Sequence, residues 1–521
     1  MLNFQKKSLN TFTDGGIQPN IILGFFIIFI IAALTFSPYY WTHPELLGTS
    51  IYVWSDPNAS LLSMLRTVFD WKAFDPNVNR VRPLNDLFEV IDAIARPYFI
   101  KWSGFNSFPL PSTLLAVILV PSLLFAWGKR VIADKWFALA LVMVFISSIA
   151  FLSITFSYIR PAKKINIICL AAMLLFMELN KTTKKDSNFY WGLLFCFLSF
   201  FADEQGLINW VVLAVFYWQE CFKRGRKKFL LFISMPFLFI IFTKWGLPTL
   251  YYFFSVHGKW DALADVKKFT VFNYLINIQF YIDAATSLGR SVVSNFGFKS
   301  QFSTLIFIVD FLILIIPAVV FGVLKNQASY NWLKASSLMV VASVFFSLLD
   351  WYPFPYEVSY LGSFNYYYHS SMGVIIFCWL VFGVKVLQNY LIKIKEKFYM
   401  LSLIFTFFLA ATIVYQNLLL FININNMVRI IHYYPFDYYQ INSAILNRTK
   451  TNNSLLFIRQ PELEESKMNS YIYNVFGGPE RAGGFIVVLQ MVKKTPILTE
   501  GHLIHMVKSF YPWENLSIKT E

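Results

Sequence analysis

Apolar runs of about 17–25 residues, the length at which a helix crosses the hydrocarbon core of a bilayer, recur along the whole chain. Nothing else in the sequence constrains the fold as tightly, because a soluble domain has one core and cannot bury so many separate apolar segments. Composition agrees. Of 521 residues, 57% are hydrophobic and 14% charged, whereas soluble proteins carry about 25% charged residues. Mean hydropathy is +0.54. The expected fold class is an all-α polytopic membrane protein with about eleven transmembrane helices. The runs lie near 21–40, 111–127, 136–158, 165–179, 188–202, 207–221, 229–254, 302–324, 333–350, 370–388 and 398–421. The fourth, fifth and sixth are short. They are expected either to tilt little or to stop below the surface around a cavity.

A net charge of +15 raises nucleic acid as a partner. Basic cytoplasmic loops explain the excess more simply, and no nucleic acid is expected. With the N-terminus in the cytoplasm, the lysines and arginines of 6–7, 129–135, 181–185, 223–228, 325–334 and 385–397 all fall on that side. The other, extracytoplasmic face holds the loop 41–110, the loop 255–301, the aromatic stretch ending at His369 and the tail. Two domains are expected: a multi-span domain over 1–421, and a small soluble α/β domain over 422–521. The tail carries short β-like runs, Leu455–Arg459 and Gly484–Leu489, between Gly and Pro turns. Cys169, Cys196, Cys221 and Cys378 lie in or beside apolar runs without metal-ligand spacing, which predicts buried free thiols. The first run lacks a small-residue cleavage site and reads as a retained helix.

The loop 41–110 is amphipathic. Leu84, Leu87, Phe88, Ile91 and Ile94 recur at helical spacing, Pro83 suits a first turn, and Asp86, Glu89 and Asp92 share the polar side. A helix lying on the membrane surface is predicted, with Glu89, Asp92 and Arg96 on a solvated face. Asp56 reads either as a helix N-cap or as a carboxylate able to take a proton from an acceptor hydroxyl. Arg80 and Arg82 offer donor forks for phosphate, or a structural ion pair. Arg160, Lys163 and Lys164 form a basic cluster on the face that should be poor in positive charge, and are expected to hold a lipid phosphate there. Asp203 and Glu204, in the turn FADEQG, interrupt two apolar runs, where an acid is costly. Gly206 eases the turn. With Asp56 and the Arg160 cluster, these acids are predicted to line one outer-facing cavity. His257 and His369, on the same face, are candidate substrate contacts. Nothing of Walker, HExxH or CxxC type is present, which removes support for nucleotide-driven transport and zinc proteolysis.

Three elements together resemble the polytopic glycosyltransferases of the GT-C class, among them protein O-mannosyltransferases, lipid A aminoarabinose transferases and O-antigen glucosyltransferases. They are Asp56 in WSDPNASLLSMLR, Arg80 and Arg82 in NRVRPLNDLF, and FADEQG. The resemblance implies a GT-C-like fold and transfer of a sugar from a polyprenyl-phosphate donor to a hydroxyl of a glycan, lipid or protein acceptor. It implies Asp56 as general base, with Arg160, Lys163, Lys164 and Arg82 on the leaving phosphate. Asp203 or Glu204 would orient the sugar or a cation. The acid pair common in that class is Ser55-Asp56 here, which leaves the base and a divalent metal open; no other cofactor is implied. Location in a bacterial inner membrane fits the Lys, Asn, Ile and Phe bias. The alternatives are a lipid-linked oligosaccharide polymerase or ligase, and a membrane transporter or flippase.

Overall fold

The structure is a computed structural model that describes residues 18–35, 60–63, 65, 82–103, 108–156, 161–203, 205–223, 225–242, 246, 277–296, 303–351, 370–391, 396–432, 456–459 and 517–520. The elements in chain order are α1 (Pro19–Thr35), α2 (Pro83–Ser103), α3 (Pro111–Ile132), α4 (Lys135–Ser147), α5 (Ile149–Phe156), α6 (Pro161–Thr183) and α7 (Asp186–Ala202). They continue as α8 (Gly206–Lys223), α9 (Arg226–Ile241), α10 (Ile278–Asn295), α11 (Ser303–Leu324), α12 (Gln327–Trp351), α13 (Ser371–Leu391) and α14 (Glu396–His432), then β1 (Leu456–Arg459) and β2 (Ser517–Thr520).

Each apolar run of the sequence contains helix. Five stretches are long and apolar enough to cross a membrane: Pro111–Ile132, Ile306–Leu324, Gln327–Leu348, Ser371–Tyr390 and Met400–Leu420. They mark the chain as a membrane protein. Shorter apolar helices cover Pro19–Thr35, Lys135–Ser147 and Gly206–Phe222. The third run is two helices, not one. Ser148 breaks it: its hydroxyl donates to the Phe145 carbonyl at 2.6 Å and accepts from the Phe151 N–H at 3.3 Å, so one side chain serves both helix ends. The fourth run is not short. Helix α6 has 23 residues because its basic first turn, PAKK, is itself helical and buried.

Helices α3, α4, α6, α7, α8 and α13 share one apolar core that includes Val120, Trp127, Leu170, Met177, Val212 and Phe377. With lipid outside, such helices associate through close packing and buried hydrogen bonds. Helices α6 and α7 approach closely at Gly192, where a Cβ would fall 2.6 Å from the Met177 sulfur. The Trp127 indole donates to Tyr217 Oη at 2.9 Å, and Tyr217 donates to the Leu174 carbonyl at 3.2 Å. Tyr217 has left helical geometry (φ −121°, ψ 24°), which kinks α8. Helices α11 and α14 stand at the edge, with 17% of each apolar stretch buried.

The expected α/β tail domain is not established. Helix α14 runs to His432, past the boundary placed at 421, and the described remainder is one antiparallel pair in which Leu456 faces Thr520 and Arg459 faces Ser517. The Gly484–Leu489 run lies outside the described residues.

Inside α11, Asp310 has both carboxylate oxygens buried and, among the described residues, without a hydrogen-bond partner. A desolvated, unpaired polar group costs about 1–3 kcal/mol or more. Asp310→Leu, close in shape, is therefore expected to raise the thermal midpoint of the purified protein in detergent. A lower midpoint would show that the carboxylate is held by something that stabilises it.

Candidate functional site

Helix α2 buries the side predicted to face water. Asn85, Asp86, Glu89 and Asp92 are all buried, while Tyr98 and Trp102 are 69% and 75% exposed. The expectation of a solvated face bearing Glu89 and Asp92 is thus overturned; the Arg96 side chain lies outside the described residues. The physical reason is what α2 rests on. Asp92 meets the start of α3 and lies in the field of Lys164, and charge held by partners is cheaper to bury than charge alone. Leu84 and Phe88 pack on Ile165, Cys169 and Ala202, so the apolar side is also engaged.

Asn85 joins α2 to α6. Its Oδ1 accepts from the Ala162 N–H at 2.8 Å, and its Nδ2 donates to Glu89 Oε1 at 2.7 Å and Asp86 Oδ1 at 3.1 Å. Asn85 thereby satisfies one of the N–H groups that every helix start leaves without a partner. Asn85→Ala is expected to lower stability by about 0.5–2 kcal/mol, the usual effect of losing such a bond. Thermal unfolding would measure it, and an unchanged midpoint would mean that water takes over the Ala162 N–H.

Two lysines in the first turn oppose the helix dipole, whose positive end lies there. Carboxylates offset them. Lys163 Nζ sits 2.8 Å from Asp203 Oδ2, with the side chains 2% and 0% exposed. Lys164, also buried, lies in the field of Asp92. Asp92 accepts from the Ser112 backbone N–H at 2.9 Å and from its hydroxyl at 2.5 Å, which ties α2 to the start of α3. Both groups precede or lie apart from the apolar stretch 165–179. Burial pushes the Asp92 carboxyl up, with Lys164 and Ser112 opposing. Burial pushes the Lys164 ammonium down to about 8, with Asp92 opposing.

The FADEQG turn supplies the remaining wall. Asp203 ends α7, its N–H bonded to the Ser199 carbonyl at 3.0 Å, and its Oδ1 accepts from the Gln205 N–H at 3.0 Å. Gln205 Oε1 accepts from the Ser370 hydroxyl. Beneath, Asn209 Nδ2 donates to Asn166 Oδ1 at 2.8 Å, and Asn166 Nδ2 donates to Ser371 Oγ at 2.8 Å, so α6, α8 and α13 meet through buried side chains. Gly206 is required for space. A Cβ there would lie 2.6 Å from the Phe200 nitrogen and 2.7 Å from the Ser199 carbonyl carbon.

Of the candidate site residues named in the sequence, Arg82, Lys163, Lys164 and Asp203 are described, and all four are buried. Arg82 joins through the first turn of α2, where its carbonyl accepts from the Asp86 N–H at 2.9 Å. Asp56, Arg80, Arg160, Glu204, His257 and His369 lie outside the described residues, as does the single cavity predicted to contain Asp56 and Arg160. Ser60 makes a capping bond of its own, its hydroxyl accepting from the Ser63 N–H at 3.2 Å. Sequence reasoning missed Asn85, Ser112, Gln205, Asn166 and Asn209, and placed Asp92 on a solvated face. One signal was present: acids at 86, 89 and 92 recur at helical spacing, in a chain that also carries the unexplained PAKK.

Chemically, the cluster is a set of paired charges shielded from water. A phosphate arriving at Lys163 would exchange one oxyanion for another, since Asp203 already occupies that ammonium. Among the described residues no three His, Cys, Asp or Glu side chains gather to hold a metal ion. The four cysteines are free and buried, as predicted. Comparisons with protein-family models, with curated protein sequences and with solved structures each find no match to this chain.

Proposed function

We propose that this chain is an integral membrane glycosyltransferase of GT-C type. It moves a sugar from a polyprenyl-phosphate donor to a hydroxyl of a glycan, lipid or protein acceptor on the extracytoplasmic face of a bacterial inner membrane. The eleven helical runs, with the N-terminus in the cytoplasm, are its spans. The observation that carries this reading is the buried pairing of Lys163 with Asp203 and of Lys164 with Asp92, from separate parts of the sequence, beside the amphipathic helix α2 and its buried Arg82. A lipid-phosphate donor needs cations at the membrane border where negative charge grows on the leaving group. An oxocarbenium-like sugar needs carboxylates nearby. Asp56 takes the acceptor proton in this scheme.

The test is sugar transfer by the purified protein in liposomes, with radiolabelled polyprenyl-phosphate sugars as donors and a membrane extract as acceptor. Wild type is expected to transfer label, and a folded Asp56→Asn variant to lose about 10²–10⁴-fold, the usual contribution of a general base. Absence of transfer with every donor would end the enzyme reading. The transporter or flippase reading would then lead, because Asp310 is an acid inside an apolar helix without a hydrogen-bond partner among the described residues, a common mark of a transport pathway. A lipid-flipping assay addresses it.

A further inference from the structure

The first turn of α6 is shut in this structure. Pro161, Ala162, Lys163 and Lys164 are all buried. A phosphate of any kind reaches neither ammonium until something moves. The two lysines are also held differently. Lys163 has a carboxylate, Asp203, at 2.8 Å. Lys164 is 1% exposed and has no acceptor so near. Asp92 offsets its charge, but each Asp92 oxygen accepts from Ser112, and among the described residues Lys164 makes no hydrogen bond. An ammonium carries three donors. Buried donors left unused call for a partner, and the positive end of the α6 dipole, where phosphate groups bind, lies at the same turn.

The element in the way is α2. Asn85 Oδ1 lies 2.8 Å from the Ala162 N–H, so an oxygen of the chain itself sits where an oxygen of an anion would sit. Asp92 fastens the same helix to the start of α3 through Ser112. The apolar attachment of α2 to α6 and α7 runs through Leu84 and Phe88, both only half-buried against Ile165, Cys169 and Ala202. Polar contacts of this kind are exchangeable, because water or a phosphate oxygen replaces one acceptor by another at small net cost.

We infer that α2 is a displaceable cover on a phosphate site at the first turn of α6. Asn85 and Asp92 hold it shut, and a phosphate that reaches Lys164 and the Ala162 N–H takes their place. Lys163 and Asp203 stay together as the frame. The inference rests on the reading of a polyprenyl-phosphate substrate and adds how its site opens.

The test uses the full-length protein in detergent. Hydrogen–deuterium exchange is read over 83–103, and lipid binding by native mass spectrometry. The probes are a polyprenyl monophosphate, the polyprenol of the same length and inorganic phosphate. The polyprenyl monophosphate is expected to bind and to raise exchange in 83–103, and the polyprenol to leave exchange unchanged. The same rise with inorganic phosphate would support the cover and make a soluble phosphate sufficient to open it. Asn85→Ala touches no cation and is expected to bind polyprenyl monophosphate about tenfold tighter, since apparent affinity scales with the open fraction. A residue that merely held the fold would give equal or weaker binding when lost. Asp92→Asn is expected to act in the same direction as Asn85→Ala. Lys164→Gln is expected to weaken binding about tenfold to a hundredfold, as loss of a charged hydrogen bond does, and Lys164→Arg to restore it. Unchanged or weaker binding by Asn85→Ala would overturn the inference, as would a polyprenyl monophosphate that leaves exchange in 83–103 unchanged. None of these readouts involves sugar transfer. Binding with release of α2 but no transfer would keep the cover and end the enzyme reading. Transfer with 83–103 protected throughout would keep the enzyme and remove the cover.

Discussion

Asp203→Ala is expected to destabilise the folded chain by about 3–5 kcal/mol, because it leaves the Lys163 ammonium buried without the carboxylate that offsets it. The pair is 2.8 Å long and nearly fully enclosed, so solvent contributes little screening. Replacing both partners, Lys163→Met with Asp203→Leu, should recover most of the loss, since burying two apolar groups avoids desolvating two charges. The contrast within the same protein is Lys228–Asp186, 2.5 Å long but with Asp186 61% exposed. Its removal should cost about 0–1 kcal/mol, as exposed pairs do. Thermal unfolding of the two single variants and the double variant, run as a cycle in one detergent, measures the coupling. If Asp203→Ala unfolds no more easily than Asp186→Ala, the pair is open to water and the enclosed cluster does not exist in solution. If the double variant is stable but transfers no sugar, the pair has a role in chemistry that its structural contribution does not explain.

Gly206→Val should be as damaging for a different reason. The start of α8 touches the end of α7 backbone to backbone, and a Cβ at 206 would stand 2.6–2.8 Å from Phe200 N, Phe200 Cα and Ser199 C. Side chains can rotate away from a clash, but a helical backbone cannot, so relief requires α7 and α8 to part. We expect a loss of about 3 kcal/mol or more. Separation of these helices would also displace Asp203 from Lys163, so transfer should fall with stability. Cysteines placed at the facing ends of α7 and α8 would report the separation through their crosslinking rate. A Gly206→Val chain with wild-type midpoint and rate would mean the turn is looser than its geometry indicates.

The helices were legible because the bilayer filters sequence harshly. Twenty apolar residues have few alternatives to a helix in lipid, so each run appears where composition placed it. The break between α4 and α5 was not legible, since Ser148 sits in SSIAFLS beside other serines and only its two hydrogen bonds distinguish it. Helix α2 shows a deeper limit. Periodicity identified two unlike faces correctly but not that the polar one is buried as well. Acids face water by default, and for Asp92 the later PAKK turn, some seventy residues on, reverses the preference. For the same reason Lys163, Lys164 and Asp203 stood out, as charges abutting apolar runs, while Asn85 and Ser112 looked like ordinary loop polars. Amides inside runs, Asn166 and Asn209, were the overlooked signal. They bond to each other at 2.8 Å, which is how lipid-embedded helices keep polar side chains.

The orientation of α2 also sets an order of events during synthesis. The chain emerges N-terminus first, so α2 is complete before α3, and well before α6 and α7, have left the ribosome. Asp92 and Asn85 do not meet Lys164 and the Ala162 N–H until α6 arrives. Until then they belong in water or among headgroups, while Tyr98 and Trp102 can already anchor the segment at the interface. Docking of α2 therefore closes the assembly of the neighbouring helices and cannot begin it. A nascent chain stalled before Pro161 should leave the 83–103 segment open to protease, and one released after the FADEQG turn should protect it.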